Sequence, residues 1–164
     1  MKQVDVEEAM SKRYPEIVVL VTQKSKDGKV NITPLGWAMP ANSKPRCWAI
    51  SIAKKHYSNK VINETKEFCL CLPSLKQKED TLYCGGVSGW DVDKLGKCSF
   101  ELLPATRIKS PLLKNSIACF ECKVIGKFDA PDHTVFIGEV VAAHVSDRKD
   151  KLYNLGNHNL QVLK

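Results

Sequence analysis

The run Ile17 to Gln23 (IVVLVTQ) is dominated by β-branched side chains, and it meets Lys26-Asp27-Gly28-Lys29 before the chain turns apolar again at Val30 to Ile32. β-Branched residues lose rotamer freedom in a helix and pack well on a pleated surface, so the run reads as a strand. Asp-Gly supplies the positive φ angles of a tight hairpin, so the strand is expected to fold back on itself. A chain that opens this way is committed early to antiparallel β structure.

The same grammar recurs downstream. PLGWAM (34–39) and CWAISIA (47–53) flank the turn-rich PANSKP and predict a second hairpin. Ser58 to Glu67 carries Val61 and Ile62 at helical spacing behind a serine able to cap the first turn, and it leads into FCLCL, a strand ended by Pro73. From Leu75 to Gly96 the pattern weakens into short helical pieces around Gly85-Gly86 and Gly89, with Asp91 expected to cap DVDKL and Gly96 to end it. FELLP, SIACFECKVIGKF and TVFIGEVVAAHV return to strands, and the last two face each other across DAPDH as the longest expected hairpin. Asp5 followed by Glu8 resembles a capping box, so residues 1–13 are expected to hold a short helix. Residues 147–164 are polar with sparse leucines and predict an arm that packs late or against a partner. Six to seven strands with antiparallel neighbours in 164 residues predict a mainly β fold, a closed or partly closed barrel, with 1–164 as one domain.

Charge and cysteine usage narrow the function classes. A net charge of +7 favours an anionic partner. The lysines are scattered, arginines are few, and no basic helix interleaves aromatics, which argues against nucleic acid. No segment approaches the roughly 20 apolar residues that span a bilayer, so no membrane is expected. The acidic start of the chain lacks the apolar core of a secretory signal, and the expected location is the cytoplasm. Seven cysteines are too few, and odd in number, for a disulfide scaffold. Cys69 with Cys71 and Cys119 with Cys122 stand at spacings near those of metal ligands. Both pairs lie in strand-like runs, where alternation puts Cys119 and Cys122 on opposite faces. Buried structural thiols, with no metal, are therefore expected. The chain also lacks a GxGxxG leading into a helix and a later acid, so any nicotinamide has no separate domain to hold it.

Six pieces recur in order: Asn31-x-Thr33-Pro34-x-Gly36-Trp37, the Ser43-x-Pro45 turn, Ala49-Ile50-Ser51-Ile52, His56-x-Ser58, Ser88-Gly89 with Asp93-Lys94, and Phe136-Ile137-Gly138-Glu139-Val140. Together, from about Tyr14 to His144, they resemble the flavin reductase-like, FMN-binding split-barrel family, which includes flavoredoxin and archaeal ferric reductase. The resemblance implies an antiparallel, Greek-key split β-barrel with short peripheral helices. It implies a homodimer with FMN near the subunit interface, NADH or NADPH as electron donor, and flavin, ferric iron or a protein as acceptor. A second reading under the same resemblance is a non-enzymatic, flavoredoxin-like FMN carrier fed by a redox partner protein.

The site residues implied are Thr33, Pro34, Leu35, Gly36 and Trp37, then Ser51, Ile52 and Ala53, then His56, Ser58 and Lys94. No side chain is assigned as catalytic, because the flavin itself carries the chemistry. Gly36 lets a backbone approach a flat ring with Trp37 on its edge, or marks a β-bulge with a core tryptophan. Ser51 to Ala53 offer main-chain partners to the polar pyrimidine edge. A helix opening at His56 and Ser58 favours a phosphate, although a capping Ser58 hydroxyl occupies the same place. Lys94 matches a family lysine near the flavin, or is solvated on a surface helix. Two departures stand out: relatives often carry Asn where this chain has Cys71, and the tail matches only through Leu155-Gly156.

Overall fold

The computed structural model describes residues 1–163. In chain order the elements are α1 (Val6–Met10), β1 (Glu16–Ile17), β2 (Val19–Lys24), β3 (Val30–Leu35), β4 (Ala38–Ser43), β5 (Arg46–Ala53), α2 (Tyr57–Thr65), β6 (Glu67–Leu72) and α3 (Lys78–Gly86). They continue with β7 (Leu102–Leu103), β8 (Leu112–Leu113), β9 (Ala118–Asp129), β10 (His133–Val145), β11 (Leu152–Asn154) and β12 (Leu160–Val162).

Seven strands form one antiparallel sheet in the order β3-β2-β6-β9-β10-β5-β4. Its two outermost strands, β3 and β4, are consecutive in the chain and separated only by Gly36 and Trp37. From Leu35 to Ala38 the chain spans at most about 11 Å, so the sheet has to curl until its edges come close. That is the mainly β split barrel, with short helices at its periphery, that the sequence pattern and the resemblance imply. Period-2 alternation divides the apolar residues between two cores. Val19, Val21, Phe68 and Leu70 face one core with Ile50, Ile52, Phe136 and Cys122. Leu20, Cys69, Cys71 and Cys119 face the other, beneath Leu112, Leu113 and Cys84. Cys119 and Cys122 thus fall on opposite faces, as alternation requires.

The first hairpin turns at Gly28, whose φ is +92°, and β9 with β10 is the longest pair. Several boundaries differ from expectation. β4 runs through Pro40 to Ser43, where the sequence reads as loop. As an edge strand β4 needs no ladder donor on its outer side, so the proline is tolerated. α2 starts at Tyr57 with His56 at the N-cap, so Ser58 lies inside the first turn and does not cap it. Asp5 caps α1 through the Glu7 amide, with no reciprocal bond from Glu8. Asp93, not Asp91, bonds the amide of Leu95 in the excursion after α3.

The C-terminal segment does not wait for a partner. β11 pairs with β1 and with β12, and Leu152 and Leu160 are buried against Val18. Gly156, Asn157 and His158 all have positive φ and form the reversal between β11 and β12. Among the described residues no helix is long and apolar enough to cross a membrane.

Candidate functional site

β3 presents Asn31 and Thr33 on one side, and α2 brings Ser58 to them. Asn31 Nδ2 donates to Ser58 Oγ at 2.9 Å and to Gln23 Oε1 at 2.9 Å. The hydroxyls of Thr33 and Ser58 are themselves hydrogen-bonded. All four side chains are buried, yet Asn31 Oδ1 has no hydrogen-bond partner. A buried acceptor left unpaired costs about 1–3 kcal/mol, which marks this spot as unfinished in the bare chain.

Beside that network opens a pocket of about 180 Å³, lined by Thr33 and Pro34, by His56, Tyr57 and Ser58, by residues 84–89 at the end of α3, and by Lys94. Lys94 is only 4% exposed and donates from Nζ to the carbonyls of Ile32 (3.0 Å) and Cys84 (2.7 Å). Among the described residues no carboxylate pairs with its ammonium. Burial pushes Lys94 below its ordinary pKa. Three donors serve two carbonyls, so one N–H remains for a ligand. Lys94 is thus a buried cation, and the surface-helix reading falls away.

The opening of α2 adds a second electropositive feature. No side chain caps it, so first-turn amides and the positive end of the helix dipole face the pocket. His56 is held below its ordinary pKa first by burial and then by Lys55 and Lys94, so its ring is neutral near pH 7. The glycine-rich stretch closes over the pocket tightly. A β-carbon on Gly89 would collide with Asn31 Oδ1 and stand 3.0 Å from Tyr57 Cδ1. Lys29 Nζ fastens the Gly89 carbonyl at 2.6 Å, and Trp90 meets Tyr57 edge-on at 5.0 Å between ring centroids.

Two further depressions adjoin along the β3–β4 turn. One of about 220 Å³ shares Pro34 and Gly85 with the first and adds Leu35 and Gly36. Another of about 330 Å³ shares Gly36 and is lined by Trp37, Met39, Ala49, Ser51 and Val135, mostly with apolar surface. Nine of the eleven residues anticipated from sequence therefore lie along adjoining depressions: a polar end at Thr33, His56, Ser58 and Lys94, then Pro34, Leu35 and Gly36, then Trp37 and Ser51.

The remaining details revise single roles. Trp37 is 49% exposed and leans on His133 at 4.9 Å, so it is no core tryptophan. Gly36 is required by Glu16, whose carboxylate occupies the place of its missing β-carbon. Ile52 and Ala53 line no part of the three depressions. The Ile52 carbonyl accepts from Asn59 Nδ2 at 3.0 Å and the Ala53 carbonyl from the His56 amide at 3.0 Å, so both position α2. The Ser51 amide is already given to the Trp37 carbonyl at 3.0 Å. Asn31, Tyr57 and Gly85 were absent from the anticipated set. Asn31 was recoverable, since period 2 puts it on the face of Thr33.

Comparison with known proteins identifies the arrangement. A family model described as flavin reductase like domain matches residues 10–162. An uncharacterised protein of Pyrococcus abyssi is 30% identical over 148 residues, 90% of this chain and 83% of its own length. The chain matches 64%, 83% and 56% of the length of three curated relatives, so it spans less than two thirds of two of them. Among solved structures, flavoredoxin from Methanosarcina acetivorans is 26% identical at a TM-score of 0.87, covering 100% of this chain and 92% of that one. An FMN-binding protein from Thermus thermophilus, solved with bound p-hydroxybenzaldehyde, superposes at a TM-score of 0.86 over 99% of this chain and 95% of its own; at 21% identity it speaks for the fold alone. On this split barrel, and with the family model covering nearly its whole length, the chain belongs to the flavin reductase like domain family.

Proposed function

We propose that the chain binds FMN and works as an NAD(P)H-dependent flavin reductase-like oxidoreductase, delivering electrons to flavin, ferric iron or a protein acceptor. The observation that carries this reading is the buried, carboxylate-free ammonium of Lys94 beside the uncapped start of α2, joined to an apolar depression at Trp37. A phosphate suits the first, where Ser58, Thr33, the first-turn amides and Lys94 supply donors and positive charge. A flat aromatic ring suits the second. FMN, when bound, supplies hydride acceptance from a reduced nicotinamide and electron release to an acceptor. The chain's own residues bind and orient: Lys94 and Ser58 fix the anionic end, Pro34 and Gly36 set the path, and Trp37 and Ser51 bound the ring. Trp37 and Met39 stay exposed beside that depression, on the face that the second copy covers in the proposed homodimer.

A flavoredoxin-like carrier, fed by a partner protein, is the second reading. It is favoured by the likeness to the Methanosarcina flavoredoxin and by the net charge of +7, which suits an acidic redox partner. Titration of the protein with FMN and with riboflavin tests the common part: FMN is expected to bind at least tenfold more tightly, and equal affinities would remove the phosphate assignment. Anaerobic addition of NADH or NADPH to the FMN-loaded protein then separates the readings. Rapid bleaching near 450 nm supports the reductase, and a spectrum unmoved by either nucleotide leaves the carrier.

A further inference from the structure

Cys69 and Cys71 alternate onto the same face of β6, and the ladder places Cys119 of β9 directly opposite Cys71. Their sulfurs converge: Cys69 and Cys71 are 3.6 Å apart, and all three Sγ atoms lie within 4.8 Å of one another. A metal held at about 2.3 Å by three sulfurs in a plane needs them about 4.0 Å apart. The one sulfur pair at 3.6 Å and the 4.8 Å limit on all three are compatible with that spacing. All three residues are buried, in an apolar surround of Leu20, Leu112 and Leu113.

The neighbourhood also says which metal. Among the described residues no fourth cysteine, histidine or acid joins the group. The nearest candidate by register, Glu121 opposite Cys69, is fully committed elsewhere, to the amides of Thr106 and Arg107, the Thr106 hydroxyl and the His144 ring. Zn²⁺ closes its structural sites with four ligands. A soft monovalent d¹⁰ ion is content with three sulfurs and is selected by thiolates.

From this geometry we infer that Cys69, Cys71 and Cys119 form a three-sulfur site for Cu(I), separate from the flavin pocket. Each thiol that becomes a thiolate on binding releases one proton to solvent, and the copper stays Cu(I) throughout. The irregular segment of residues 104–111 covers the core that holds the three thiols. Ala105 and Ile108 pack against the apolar cluster that contains the three thiols, and this roof is tied down by Glu121 and by Glu67, which accepts from the Lys109 amide at 2.6 Å and the Ser110 amide at 3.0 Å.

The test is anaerobic titration of the reduced, metal-free protein with Cu(I) supplied as its acetonitrile complex, competed with bathocuproine disulfonate. The expected result is one tightly held Cu(I) per chain, with X-ray absorption reporting three sulfur neighbours at about 2.3 Å. Loss of outer-sphere partners alone costs 10–100-fold in affinity, so Cys71→Ser is expected to cost roughly 100-fold or more. Cys98→Ser, which breaks the other close thiol pair and lines no part of the flavin pocket, is expected to leave Cu(I) affinity unchanged. Because Cys71→Ser removes a core side chain, a second measurement uses the unaltered protein: bound copper should shield Cys69, Cys71 and Cys119, but not Cys47 or Cys98, from alkylation in mild urea. Failure to compete with the chelator overturns the inference. So does copper that is lost in Cys98→Ser, or a site that takes Zn²⁺ and refuses Cu(I).

Discussion

Glu121 offers the sharpest quantitative test of the structure. Its side chain is fully buried. Burial by itself pushes its pKa up, but the Thr106 amide, the His144 ring, the Arg107 amide and the Thr106 hydroxyl outweigh that and hold the carboxyl at about 2, against an ordinary 4.5. A carboxyl depressed in the fold stabilises it above the unfolded value, and that stabilisation is lost as pH falls from about 4.5 towards 2. At about 1.4 kcal/mol per unit the contribution is about 3 kcal/mol at pH 5 and about 1 kcal/mol at pH 3.

Glu121→Gln removes the titrating charge and turns an amide NH₂ towards donors, which adds a penalty independent of pH. Urea unfolding followed by tryptophan fluorescence at pH 3, 4 and 5 should show the gap between the two proteins widening by about 2 kcal/mol from pH 3 to pH 5, with other titrating groups common to both. Because Glu121 anchors the roof at Thr106 and Arg107, the variant should also label faster at Cys119 in native conditions, a local opening in place of global unfolding. A gap that stays constant within about 0.5 kcal/mol across this range would refute the assignment of a charged, amide-bound Glu121.

Two further perturbations test the barrel and the pocket. A β-carbon on Gly138 would stand 2.6 Å from Phe68 Cζ and 2.9 Å from Cys122 Cβ, so Gly138→Ala should cost about 1–3 kcal/mol by overpacking; Phe68→Leu in the same chain should recover part of it, and additive denaturant midpoints would show that the two sites do not touch. Lys94→Met removes a charge-assisted donor worth about 1.5–3 kcal/mol, so FMN affinity by fluorescence titration should fall roughly 10- to 150-fold while riboflavin affinity holds within about threefold; equal losses for the two would mean that Lys94 supports the pocket wall and not the phosphate.

The parts of the fold legible in sequence are those decided by neighbours in the chain. Asp27-Gly28 fixes a hairpin because the positive φ lies at the turn itself, and the apolar runs at 118–129 and 133–145 are long enough to declare their pairing. Decisions made across the sheet were not legible. PANSKP reads as loop on its prolines, yet Pro40 sits in a strand because β4 is an edge, and edge status belongs to the sheet order. Leu152 and Leu160 look sparse in a polar tail, yet each meets Val18. Gly156 and Asn157 were the turn signal that would have revealed that hairpin.

The site divides along the same line. Thr33, Pro34, Gly36 and Trp37 are contiguous, so one motif delivers them together, whereas Ser58 was placed as a cap because its bond to Asn31 crosses 27 positions. The cysteines carry the point furthest. Linear spacing pairs Cys119 with Cys122, which alternation separates, while the sheet register pairs Cys119 with Cys71, 48 positions earlier. A one-residue slip between β6 and β9 would turn Cys119 to the opposite face and scatter the sulfurs. That register is held by burying Phe68 and Leu70 against Cys122 on one side and Cys69 and Cys71 against Cys119 on the other. The same alternation that builds both cores thus gathers the three thiols, and a reading confined to local spacing has no access to it.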